Sequence, residues 1–390
     1  MKNILIYFLP LLITVTALIY CRPIIDSLFF NRAAVEEVSC NSYYPNLIDN
    51  PSLEKIMLSG TDSSGVIYIF GSSELSSSVD AHPYRFINSN FKNKAIAIGH
   101  AGNQCFSIYS QLLAHQNRLE GAPVFIILSP GWFANKGTSS ECFLEYNSPS
   151  MMNAILNSKK NDEFKKYEMK RVADLYTEFV NPDVNFRIMF LENKANQNSI
   201  NKLFLSPLLY TDLYLQNAKK EIYFSEKHTI PFFKNEIVTE EKHFVWDSLF
   251  AASKKAQKES VTNNSWGINN EYYTTYTKGN TTEMKINQGE DNTEWQDFKK
   301  LVAMLKQKKV NASFMILPIN PFYYTNSKEL TPFISKLNRE AMSNGFPCLN
   351  MWCDDTATFE KAVLNDVMHL SSYGLYKVDQ FLVNTYKLTK

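Results

Sequence analysis

The chain has 390 residues, 45% hydrophobic and 20% charged, with 40 basic side chains against 39 acidic ones and a formal net charge of +1. That length and balance suit one large or two ordinary globular domains and exclude a disordered chain. Near-neutral charge without a dense basic patch speaks against nucleic acid as a partner.

Ile4 to Cys21 is an uncharged run of about 18 residues, close to the length that crosses a bilayer. Lys2 precedes it and Arg22 follows. Tyr20 and Pro23 do not suit a signal-peptide cleavage site, so the run reads as an uncleaved anchor. A long following domain crosses a membrane regardless of a few flanking charges. The expected organisation is therefore a cytoplasmic tip and transmembrane helix over 1–22, a juxtamembrane connection over 23–60 and an extracellular domain over 61–390. Six cysteines show no CxxC or CxxH spacing, which gives no reason to expect zinc. Free thiols and one or two disulfides both remain open.

Val66 to Phe70 is a short apolar run ending at Gly71, followed at once by Ser72 and Ser73. It predicts a buried strand with two serines at its carboxyl end, where ligands collect in open α/β sheets. Helix capping is the alternative role for those serines. Ser76 to Pro83 reads as a short helix or loop. Lys94–Gly99 and Pro123–Leu128 repeat the strand pattern, separated by a helical stretch over about 104–116. Strand–turn–helix units at this spacing predict a parallel sheet with helices on its faces. From about 148 to 258 the pattern is helical, with candidates at Met151–Leu156, Glu163–Phe179, Asn198–Tyr223 and Glu240–Ala256. This is expected to be an insertion or cap. Asn263–Asn292 is polar and reads as a long surface loop. Strands at Ala312–Leu317 and Phe346–Trp352 then alternate with helices at Trp295–Gln307 and about Glu329–Met342. A closing helix runs from Ser371 to about Leu388.

A serine hydroxyl becomes a nucleophile when a base lies within hydrogen-bond reach and a third group orients that base. Of the six histidines, His82, His100, His115 and His228 sit in stretches that suggest no partner, and His243 with Asp247 suits a surface pair. His369 lies three residues after Asp366, just before the closing helix. A carboxylate so close can set the imidazole tautomer. Asp-x-x-His alone is common; it gains meaning beside a strand-end serine early in an α/β domain. A capping or surface histidine is the competing reading.

Gly71-Ser-Ser73 early and Asp366-x-x-His369 late resemble the block order of SGNH, or GDSL-type, hydrolases, whose pattern makes Ser73 the nucleophile. With the apolar N-terminus, Gly71-Ser-Ser-Glu-Leu75, Gly99-x-x-Gly-x-Gln104, Ser129-Pro-x-Trp-Phe133 and Asp366-x-x-His-Leu370, the chain resembles the DltD family from end to end. The resemblance implies an SGNH-like α/β fold and no cofactor. It also implies D-alanyl transfer to lipoteichoic acid at the outer membrane surface of a Gram-positive cell. The catalytic residues would be Ser73, His369 and Asp366. The backbone N–H groups of Ser73 and Gly102 would bind the oxyanion, and Trp132 and Phe133 would line an acceptor groove, unless they belong to the core. Gly131 departs from the family's Gln at that place, so an amide side chain is missing from the expected oxyanion hole. The implied partners are the lipoteichoic acid acceptor, the membrane-bound O-acyltransferase of the same pathway, the membrane itself and, as a further candidate, the D-alanyl carrier protein. A membrane-tethered esterase or thioesterase and a non-catalytic scaffold are the alternatives. Glu74 reads as a solvated or capping carboxylate.

Overall fold

The computed structural model describes residues 66–77, 79–116, 119–134, 137–147, 162–176 and 245–389, with short pieces at 9–10, 12–14, 16, 20, 43–44, 151–152, 155 and 158. Most of the expected anchor at Ile4–Cys21, most of the connection over 23–60 and the candidate helix Asn198–Tyr223 lie outside these residues. Among the described residues no helix is long and apolar enough to cross a membrane.

Among these residues six strands form one parallel sheet: β1 (Tyr43–Tyr44), β2 (Val66–Phe70), β3 (Lys94–Ile98), β4 (Pro123–Leu128), β5 (Asn311–Ile316) and β6 (Cys348–Asn350). Their spatial order is β1-β3-β2-β4-β5-β6. The chain leaves β2 towards β3 on one side, then crosses to β4 on the other. The carboxyl end of β2 is therefore a point where the winding reverses, and such points open a crevice in doubly wound sheets.

Strands β2 to β5 are buried on both faces, as parallel strands must be when helices cover both sides. Tyr68, Phe70, Ile96, Ile98, Val124, Ile126 and Phe314 point into one core. It is closed by α2 (Cys105–Ala114), α6 (Thr293–Gln307) and α7 (Ser327–Ser343). The alternate residues Ile67, Ile69, Ala95, Ala97, Phe125, Ile127 and Met315 point into the second core. There they meet α1 (Pro83–Asn90), α8 (Ser372–Tyr386) and the partly buried Trp246 and Leu249 of α5 (Trp246–Glu259). Local chemistry starts several of these helices. Pro83 opens α1, Asn292 Oδ1 accepts from Trp295 N–H at the head of α6, and Ser371 Oγ accepts from Gly374 N–H at the head of α8.

The helical expectation over 148–258 holds where the chain is described. Met151, Met152 and Ile155 are helical and buried, α4 spans Glu163–Tyr176, and α5 spans Trp246–Glu259. Arg171 of α4 is pinned to buried Asp297 of α6 by two hydrogen bonds, Nε–Oδ1 at 2.9 Å and Nη2–Oδ2 at 3.0 Å. The polar stretch 263–292 is more ordered in form than a plain loop. It holds a helical turn at Asn270–Tyr272 that runs into a π-turn at Tyr273–Thr277, and a bridge between Thr282 and Tyr324. The described cysteines Cys105, Cys142, Cys348 and Cys353 are free thiols.

Candidate active site

The turn that carries Ser73 is built by close approach of two strand ends. Gly71 N–H donates to Ile98 O at 3.3 Å, and Asn103 Nδ2 donates to Gly71 O at 3.1 Å. Gly99 has φ +124°, and a Cβ there would lie 2.1 Å from Gly71 O, so only glycine allows the contact. Asn103 is fully buried and is braced in turn by Gln111 Nε2 on its Oδ1, at 3.0 Å. Ser73 then begins a 3-10 turn over Ser73–Ser76. Its N–H, an orphan donor of that first turn, has no partner among the described residues.

The Asp366–His369 loop is held from several sides. Asn365 N–H donates to His369 O, Asn320 N–H to Val367 O and Asn269 N–H to Asn365 O, each at 2.8–2.9 Å. Gln257 Nε2 donates to Leu364 O from α5 at 2.9 Å. Beneath the loop, Val367 packs with Ile268, Ile319 and Tyr324, and Tyr272, Tyr273 and Tyr323 lean on that cluster. Tyr272 and Tyr273, from the stretch read as a surface loop, thus support the Asp366–His369 loop, while Tyr276 stays 70% exposed.

The two loops meet across 296 residues of sequence. Ser73 Oγ lies 3.0 Å from His369 Nε2, and His369 Nδ1–H donates to Asp366 Oδ2 at 2.8 Å. Asp366 Oδ1 accepts the N–H groups of Met368 and His369, both at 2.8 Å. Burial would raise the Asp366 carboxyl, but the His369 hydrogen bond, the imidazolium charge and those two N–H donors outweigh it and hold the group below its usual range. The Asp366 hydrogen bond raises the His369 imidazole above its ordinary value, against its own burial. The arrangement can take a proton from the Ser73 hydroxyl and stabilise the imidazolium that forms.

A family model described as "DltD protein" matches residues 41–387. The chain belongs to the DltD family. Protein DltD of Bacillus subtilis is 24% identical over 333 residues, covering 83% of this chain and 82% of the relative. Protein DltD of Staphylococcus aureus is 23% identical over 319 residues, with 80% and 78% covered, and Protein DltD of Lacticaseibacillus rhamnosus is 22% identical over 382 residues, with 92% and 84% covered.

The structure places the other expected site residues as follows. Gly102 N–H donates to Ser72 Oγ at 3.1 Å, so this oxyanion donor is already engaged. Glycine stands there for two reasons: its φ is +91°, and an added Cβ would lie 2.2 Å from Cys142 Sγ. Trp132 is 6% exposed within the core of α2, α6 and α7, and Phe133 is fully buried. Both are packing residues: they belong to the core cluster, where Phe133 meets Phe298 of α6 and Phe333 of α7 edge-on. Gly131 is half-buried with open space around it: a Cβ there would meet nothing nearer than Ser129 Oγ at 3.7 Å.

The DltD site also holds groups that sequence reasoning passed over. A cavity of about 280 Å³ beside the triad is lined by Ser73, Glu74, His82, Asp366 and His369. Its remaining walls include Ile127, Leu317, Leu375 and Val378. Glu74 is not a solvated carboxylate. Its Oε1 accepts Ser72 N–H at 2.6 Å, and burial pushes its carboxyl up to about 7 despite that bond and nearby His369. His82, at the head of α1, is fully buried, and neither ring nitrogen is hydrogen-bonded; the Glu74 carbonyl lies beside the ring without closing a bond. Burial lowers its imidazole to about 3, so it is neutral. Nothing in the spacing of Glu74 or His82 signals this; only their position behind Ser73 does. A larger cavity of about 760 Å³ lies against α4 and α6, lined by Tyr167, Lys170, Arg171, Asp174 and Asp291, and it contains no serine–histidine pair. His100, read as unpartnered, pairs with Glu145 at 2.7 Å.

Proposed function

We propose that this chain acts in the D-alanylation of teichoic acid, passing a D-alanyl group through a Ser73 acyl-enzyme at the outer face of the membrane. The observation that carries the reading is the relay Ser73 Oγ–His369–Asp366, with links of 3.0 and 2.8 Å, in a chain of the DltD family. His369 Nε2 takes the Ser73 proton as Oγ attacks the D-alanyl carbonyl. The imidazolium returns that proton to the departing oxygen or sulfur of the donor. A polyol hydroxyl of the acceptor then gives its proton to His369 and attacks the acyl carbonyl, which frees Ser73. The Ser73 N–H is the donor positioned to hold the developing oxyanion, while Gly102 N–H contributes once Ser72 Oγ releases it. The lipoteichoic acid acceptor, the membrane-bound O-acyltransferase and the carrier protein are the partners this role requires.

The test is intact-peptide mass spectrometry of the segment carrying Ser73, from cells expressing the protein with its pathway partners. A D-alanyl adduct on Ser73, enriched in His369→Ala, is the expected result. Normal polymer D-alanylation in Ser73→Ala cells, with no adduct in the wild type, would sink the covalent route and leave a binding role.

A further inference from the structure

We propose that Glu74 is the subsite for the α-ammonium group of the aminoacyl unit that Ser73 receives; this rests on the acyl-transfer reading above. Glu74 follows Ser73 directly in the chain, and Ser72 N–H ties its Oε1 back at 2.6 Å, which holds the carboxylate against the turn that carries Ser73. Its Oε2 makes no hydrogen bond among the described residues, and the side chain lines the cavity that holds Ser73 and His369. Asp366, the other carboxylate of that cavity, is committed to His369 and to two backbone N–H groups. Among the described lining residues there is no lysine or arginine. His369, the cationic group of the cavity, is itself bonded to Asp366, so the untied Glu74 oxygen is left for a cation that the substrate brings.

An α-aminoacyl ester brings that cation to the right place. Its ammonium sits one carbon from the carbonyl that Ser73 attacks, so a carboxylate on the next residue can reach it while the carbonyl faces Oγ. The cavity, about 280 Å³, suits a short acyl group, and Ile127, Leu317 and Val378 offer apolar walls to a methyl side chain. Burial holds the Glu74 carboxyl near 7 in the empty cavity, and an arriving ammonium favours its ionised form. A purely structural Glu74 would only brace Ser72 N–H, a task that glutamine performs equally well through its carbonyl oxygen.

Binding of D-alaninamide and of its uncharged isostere isobutyramide separates the two roles. It is measured on full-length Ser73→Ala protein, where no covalent step occurs, by titration calorimetry or NMR. D-Alaninamide is expected to bind better than isobutyramide. Glu74→Gln in the same background is expected to weaken D-alaninamide about tenfold or more, the loss of a charge-assisted bond, and to bring the two ligands within about twofold of each other. Equal affinity for both ligands in the parent protein, an unchanged preference in Glu74→Gln, or an equal loss of both ligands would each overturn the assignment. A Glu74-dependent preference for D-alaninamide without any Ser73 adduct in the wild type would keep Glu74 as an ammonium site, refute the acyl-enzyme and overturn the assignment to a Ser73-bound acyl unit.

Discussion

Replacing Asp366 by asparagine isolates the orientation of His369 from every other property of the loop. The aspartate receives three hydrogen bonds, two from backbone N–H groups on Oδ1 and one from the imidazole on Oδ2, all at 2.8 Å. Asparagine has a single oxygen to offer. Placing that oxygen towards the backbone keeps two bonds; placing it towards the imidazole abandons two donors, each worth roughly 1–3 kcal/mol when left unsatisfied. The amide NH₂ is therefore driven to face His369 Nδ1. A donor there forces Nδ1 to accept, moves the ring proton to Nε2, and removes the lone pair that Ser73 needs. The expected loss is about 10⁴-fold in the rate of Ser73 acylation by a D-alanyl thioester, equal to about 5.5 kcal/mol at the transition state. The assay is intact-mass spectrometry of the acylated chain over time, beside a thermal melt to show that the loop still folds. The residual rate should also carry an acid limb at lower pH, because the carboxylate that raises the His369 imidazole is gone. An Asp366→Asn protein that acylates within about tenfold of wild type would refute the relay.

Other expectations concern the scaffold. Glu168 is buried against Ser110 Oγ, and burial pushes its carboxyl from 4.5 to about 8; Glu294 moves the same way. A folded-state value above the unfolded one means that stability is fullest below pH 4.5 and is lost as pH rises towards 8. Glu168→Gln should flatten the decline, measured by urea unfolding at pH 5 and 8, by up to about 1.4 kcal/mol per pH unit. Gly99→Ala should destabilise the chain by more than about 2 kcal/mol in the same assay, since its Cβ would strike Gly71 O. Glu360 bridges Lys254 of α5 and Lys377 of α8 and accepts from Tyr373; burial opposes ionisation, yet these bonds bring the carboxyl down to about 2. Its contribution is present above pH 4.5 and lost as pH falls towards 2, so the melting-temperature gap between wild type and Glu360→Gln should shrink from pH 6 to pH 3. Arg171→Met should cost about 3–5 kcal/mol in urea unfolding, because it leaves Asp297 buried without its cation.

What could be read from the chain follows from where the physical signal is local. The strand ends at Gly71, Gly99, Leu128 and Leu317 were legible because each apolar run stops at turn chemistry. Asp366-x-x-His369 was legible because the pair lies within one loop. β1 has two residues, too few for periodicity, and α1 hides behind Pro83 and a polar-rich run. Arg171–Asp297 joins positions 126 apart, and no local pattern announces it. Trp132 suited a core more than a groove from the sequence, and its burial among α2, α6 and α7 bears out the core reading. Glu74 could be placed beside Ser73 from the sequence, but the cavity it lines is completed by Ile127, Leu317, Asp366 and Val378 from distant parts of the chain.

The span between Ser73 and His369 has a consequence for the timing of reactivity. Ser73 comes early and His369 late, with β3 to β6 lying between them in the chain, and only the folded sheet brings the two to 3.0 Å. A nascent or half-opened chain therefore carries an ordinary, unreactive serine. The Ser73–His369 contact forms only with the last part of the fold and is lost at the first global unfolding.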